Sequence, residues 1–130
     1  MSRLPLEERR AWEERWHGTI WEGLDGGGWL ELPTTSPGPQ VVISAWNPLG
    51  MRLPQPVNRA RDALLMGELQ ARGLSARRAR GRSPDGAWWE DGWQIAHEAD
   101  RTQLLVRRYG QLAGWVTDAG GARFHWADET

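Results

Sequence analysis

At 130 residues the chain has length for one compact core. It contains no cysteine, which excludes disulfide scaffolds, thiolate metal sites and cysteine nucleophiles and leaves the redox compartment open. All sixteen basic residues are Arg, so Schiff-base chemistry and a P-loop lysine are excluded as well, and a net charge of −1 argues against polyanion binding by the molecule as a whole.

The Arg bias, with ten Trp among the aromatics, is what GC-rich coding produces. The opening "MSRLPLEERR" has no apolar leader and no run of eighteen apolar residues occurs, so the expectation is a soluble cytoplasmic protein without a membrane partner.

In "LPLEERRAWEERWHG", Pro5 stands at a helix start, Glu7 and Glu8 in the first turn, and Arg15, His17 and Gly18 at the end, all in keeping with the helix dipole. A short helix docking through Trp12 and Trp16 is expected. "TIWEGLDGGGWLEL" reads as a peripheral hairpin about a Gly-rich turn, and "PTTSPGP" as a loop. Residues 1–40 are thus a peripheral helix and hairpin, 41–126 an α+β core and 127–130 a solvated tail, all in a single domain.

"VVISAW" is a continuous apolar run of strand length and belongs in the middle of a sheet. In "VNRARDALLMGELQARG", Val57, Ala60, Leu64, Leu65 and Leu69 are spaced for one helical face, with Pro56 near the start and Gly73 past the end. "SARRARGR" and "AWWEDGWQI" flank "SPDG", and a three-residue loop Pro84-Asp85-Gly86 would set Arg78, Arg80 and Arg82 across from Gly92, Glu90 and Trp88. A two-residue turn would instead put Arg80 opposite Trp89. Asp100 with Gln103 resembles a capping box for a helix from about Arg101 to Tyr109, whose stripe is Thr102, Leu105, Val106 and Tyr109. "QLAGWVTDAGGARFHW" closes the chain as a hairpin about "DAGG".

From Val41 the order is strand, helix, strand, strand, helix, strand, the split β-α-β-β-α-β pattern of a ferredoxin-like sheet, here with an N-terminal helix and extra peripheral hairpins. Followed in direction, that topology gathers Asn47, Asn58, Glu90, Tyr109 and Gln111 at one sheet end. Each also has a structural role open to it: Asn47 in an Asx turn, Asn58 as a helix cap, Glu90 as the cross-strand partner of Arg80, Gln111 at a helix end. The case for a ligand-binding site is their convergence.

The chain resembles, over Val41 to Trp115, the DUF3293 family of small bacterial proteins of unknown function. The residues that carry the resemblance are "SAWNP" at Ser44 to Pro48, Asn58, "DGAWWE" at Asp85 to Glu90 and "YGQLAG" at Tyr109 to Gly114. It departs where the pattern has a small hydroxyl residue after the Glu and an Asn after the Gln; Asp91 and Leu112 stand there. The resemblance implies no activity.

The three His, His17, His97 and His125, lack metal-ligand spacing, so neither metal nor cofactor is expected. "DGGG" lacks the context of a phosphate loop, and Ser44 is in no nucleophile elbow. Five Arg in "RGLSARRARGR" beside the Trp-rich strand form a second constellation: Arg78, Arg80, Arg82 and Trp88 could bind single-stranded nucleic acid by phosphate contact and base stacking. The favoured function is a binding or regulatory module with a polar pocket at one sheet end, for a small molecule or a protein partner. The alternatives are that nucleic-acid binder and a small hydrolase-like enzyme using Glu90, which Arg80 opposite would hold ionised.

Overall fold

The computed structural model describes residues 4–128. In chain order the elements are α1 (Leu6–Trp16), β1 (Ile20–Asp25), β2 (Gly28–Glu31), β3 (Gln40–Ser44), a 3-10 turn (Pro48–Gly50), α2 (Gln55–Ala71), β4 (Arg77–Arg82), β5 (Trp89–Ala96), α3 (Ala99–Arg108), β6 (Ala113–Asp118) and β7 (Gly121–Trp126). The seven strands form one antiparallel sheet in the order β2-β1-β4-β5-β3-β6-β7. The molecule is α+β, and none of its helices is long and apolar enough to cross a membrane among the described residues.

The apolar run does lie inside the sheet: β3 is flanked by β5 and β6, and Val41, Val42 and Ile43 are buried. Because side chains alternate, its two faces build two cores. Val41 and Ile43 join Ile95 and Val116 against Leu65 and Leu69 of α2 and Leu105 and Val106 of α3. Val42 turns the other way, to Leu32, Ala79 and Trp115, with Trp21 and Phe124 beside them. Helix α1 lies over this second face, its Trp16 ring 4.9 Å from Phe124 and 5.6 Å from Trp126. The first hairpin is part of the sheet, since β1 pairs with β4.

Four expectations are corrected. Helix α2 is rotated from the expected face: Val57 and Leu64 are 45% and 68% exposed, while Asn58 and Asp62 are buried alongside Leu65 and Leu69. Those two polar side chains have partners inside, Asn58 on Asn47 and Asp62 on Arg78 at 2.8 Å, and a satisfied polar group can take a core position. The cap of α3 is Glu98, whose carboxylate accepts the N–H groups of Asp100 and Arg101, so the helix starts earlier. The last residues are not all solvated: Ala127 and Asp128 are buried, Asp128 paired with Arg9 and with the Leu4 N–H, while Glu129 and Thr130 lie outside the described residues.

The fourth correction matters most for function. The β4–β5 loop has neither two nor three residues but four, Pro84 to Ala87, because Asp85 captures the Ala87 N–H at 3.0 Å and the Ser83 hydroxyl at 2.7 Å, while Gly86 closes the turn onto the Ser83 carbonyl. Pairing is therefore Arg80↔Asp91, Gly81↔Glu90 and Arg82↔Trp89. A shift of one residue sends every side chain of one strand to the other face relative to its partner. Glu90 consequently shares a face with Gly81 and Ala79, and Arg80 lies on the opposite face.

Candidate functional site

The site begins where β3 ends. The Ser44 hydroxyl donates to the Asp91 carbonyl at 2.7 Å and accepts the Trp46 N–H at 3.0 Å, which turns the chain out of the sheet and leaves that hydroxyl committed. Asn47 then adopts the left-handed conformation, φ 46° and ψ 62°, which Asn tolerates better than most residues. Leu49 follows at φ 55°, a conformation unusual for a bulky side chain. At Gly50, φ 77°, any side chain would overlap the Trp12 ring, so the loop fits directly against α1.

A hydrogen-bonded chain fixes the polar residues. Asn58 accepts the Asn47 N–H at 2.9 Å and gives its two amide hydrogens to Asn47 Oδ1 and the Leu53 carbonyl. Asn47 Oδ1 also accepts the Leu53 N–H, which leaves Asn47 Nδ2 facing Glu90 Oε1 at 2.9 Å. Gln111 Nε2 donates to the carbonyls of Trp46 and Tyr109, at 3.0 and 3.1 Å. Asn47, Glu90 and Gln111 line one cavity of about 520 Å³, whose walls are Trp12, Trp16, Trp21, Trp88 and Phe124. Space exists there because the floor is glycine: Gly81 and Gly92 occupy the sheet positions beside Glu90, and a Cβ on Gly92 would come within 2.5 Å of the Ile43 carbonyl oxygen.

The structure thus brings together Asn47, Asn58, Glu90 and Gln111, with Asn58 behind Asn47 as its support. A smaller cavity of about 160 Å³ adjoins on the Asn58 side. Tyr109 is apart: its side chain belongs to the helix-side core and its hydroxyl donates to Glu68 at 2.9 Å. Burial and that bond push the phenol up to about 12. Only its backbone carbonyl reaches the site, as acceptor for Gln111 and for Arg61. Sequence reasoning had Trp88 only in the nucleic-acid alternative and Trp12 and Trp16 only as a docking face, and it missed Trp21 and the glycine floor; the pairing of Trp12 and Trp16 one helical turn apart was the available sign of the apolar wall.

Burial pushes the Glu90 carboxyl up to about 7, the hydrogen bond from Asn47 opposing. Among the described residues no guanidinium relieves it. Its expected partner Arg80 bonds Glu22 instead, at 2.9 Å, and Arg82 bonds the same oxygen at 2.8 Å. Burial would raise Glu22, but the two guanidiniums outweigh that and hold it below the usual carboxylate range. Arg78 pairs with Asp62 at 2.8 Å and with Asp91 at 3.7 Å, and lies over the Trp93 ring. Trp88 lines the cavity on the other side of the sheet. The structure therefore does not assemble Arg78, Arg80, Arg82 and Trp88 into one surface.

Both departures from the family pattern have a place in this geometry. Asp91 faces away from the cavity toward Arg78, whereas Leu112 lines it and makes that wall apolar. No group of three or more His, Asp or Glu among the described residues is arranged to hold a metal ion. A family model described as "Protein of unknown function (DUF3293)" matches residues 43–113. No curated protein and no solved structure matches the chain. The matched segment contains Asn47, Asn58, Glu90 and Gln111, while Trp12, Trp16, Trp21 and Phe124 lie outside it.

Proposed function

The chain belongs to the DUF3293 family, and from the cavity whose polar end its family segment builds we propose that it is a small-molecule-binding protein. The fold we assign to the segment from β3 to β6 is ferredoxin-like, supported by the order β4-β5-β3-β6 and by α2 and α3 on one face. The observation that carries the functional proposal is Glu90 at the floor of a Trp-walled cavity, bonded to Asn47 and, among the described residues, to no cation. An apolar cleft of several hundred Å³ with a few convergent polar groups is the usual form of a small-ligand site. Protein-observed NMR of the indole N–H groups, titrated with a set of small molecules, tests it. True ligands should shift the indole N–H resonances of Trp16, Trp21 and Trp88, and ligands that perturb only the α2–α3 face would refute the proposal.

One observation favours a second reading. A carboxyl titrating near 7 has the proton affinity of a general acid or base at neutral pH. In that reading Glu90 transfers the proton, Asn47 orients it and Ser44, already bonded on both sides, is no nucleophile. A hydrolytic activity that survives Glu90→Gln would remove this reading and leave the binding site intact. Single-stranded nucleic-acid binding loses support, because Arg78, Arg80 and Arg82 each have carboxylate partners.

A further inference from the structure

At the polar end of the cavity the amide donors are largely spent. Both hydrogens of Gln111 Nε2 go to backbone carbonyls, both of Asn58 Nδ2 go to Asn47 and Leu53, and Asn47 Nδ2 serves Glu90. What those bonds leave over is one N–H of Asn47 and, as acceptors, the side-chain oxygen of Gln111 and the second oxygen of Glu90 once it is ionised. A ligand N–H group has acceptors to meet at this end of the cavity. Around those acceptors stand indole rings, whose faces attract cations, and the Arg15 guanidinium already lies 4.8 Å from the ring centre of one of them, Trp12.

Resting on the reading of this cavity as a ligand site, we infer that its occupant is an organic ammonium ion on a flat apolar body, with the N–H groups turned to Glu90 and Gln111 and the body between the Trp rings. Glu90 is the one acid among the lining residues. The other charged groups there are Arg15 of α1 and Arg52 after the 3-10 turn, both solvent-exposed, where water and salt screen their repulsion. From the remaining elements Glu90 meets no charge: β3 contributes Val42 and Ser44, β4 Gly81, and the segment before β6 Gln111 and Leu112. A part-buried carboxyl with no cation beside it among the described residues is costly to ionise, and an ammonium ion supplies the missing charge. Loading the site therefore expels the Glu90 proton, and occupancy rises with pH.

The test uses three probes of one shape: benzylammonium, benzyl alcohol and benzoate, titrated calorimetrically into the intact protein at pH 6 and pH 8. With a carboxyl titrating at about 7, benzylammonium affinity should rise about tenfold across that interval. At pH 6 close to one proton should be released per ligand, as read from buffers of different ionisation enthalpy. Benzyl alcohol should bind more weakly and without pH dependence, and benzoate not measurably. In Glu90→Gln, benzylammonium should fall to the level of the alcohol at both pH values. Equal binding of amine and alcohol, or preference for benzoate, overturns the ammonium assignment while the pocket stands. No binding by any of the three at millimolar concentration overturns both. The wild-type comparison needs no variant, so it decides even if Glu90→Gln folds poorly.

Discussion

In the folded protein Glu90 keeps its proton up to about pH 7, whereas in an unfolded chain it loses it near the ordinary value of 4.5. Between those values the native state holds one proton more than the unfolded state, so the Glu90 contribution to stability falls as pH rises through the window. Present in full below pH 4.5, it is lost above pH 7. Glu90→Gln keeps the oxygen that accepts from Asn47 and removes the titration. Urea unfolding at pH 5 and pH 8 should show the variant losing less stability over that interval than the wild type, and exceeding it at pH 8 by about 1–2 kcal/mol. Equal losses in both proteins would mean that Glu90 is solvated and not buried. The residues of this site were legible where the backbone decided their place: Asn47 follows from Asn-Pro at a strand end, and Gln111 from the end of a helix. Tyr109 was assigned to the site although its own spacing with Thr102, Leu105 and Val106 places it on the core stripe of α3, where the structure has it.

At the scale of elements, α2 shows what periodicity registers and what it does not. Leucines at 64 and 65 are equally apolar in the sequence, yet Leu65 is fully buried and Leu64 faces solvent because the stripe is completed by Asn58 and Asp62. Leu65→Ala should cost about 2–5 kcal/mol, and Leu64→Ala less than about 0.5 kcal/mol, in denaturant unfolding. Comparable losses would restore the expected face. Hydrophobic spacing located the helices and strands, but it is blind to a buried polar residue whose partner sits in another element. The β4–β5 register was illegible for a related reason. Turn type follows from local residues, but the bonds from Asp85 to Ala87 and Ser83 lengthen the loop by one, and that single residue decides whether Glu90 faces Arg80 or a cavity.

At the scale of the molecule, the two faces of the sheet are covered unequally. Helices α2 and α3 each bury a stripe, while α1 has no buried residue and is held through ring contacts of Trp16, the loop at Gly50 and the Arg9–Asp128 pair. An element with few buried contacts opens with a smaller free energy than the core. Amide hydrogen exchange in Leu6–Trp16 should therefore run far ahead of that in α2 and α3, and a bound ligand touching Trp12 and Trp16 should slow it; equal protection in all three helices would contradict this.

Under α1 the indoles of Trp21 and Trp115 lie 5.0 Å apart and within 7° of parallel. Two identical chromophores that close share their excited state, so their absorption splits and their circular dichroism becomes a pair of bands of opposite sign. Which sign leads, and how large the bands are, depends on how the two rings are set relative to each other, and they stand on β1 and β6, strands that are not neighbours in the sheet. The cavity face thus carries its own optical gauge, one that reports on the packing beneath α1 and is silent about the helices on the other side.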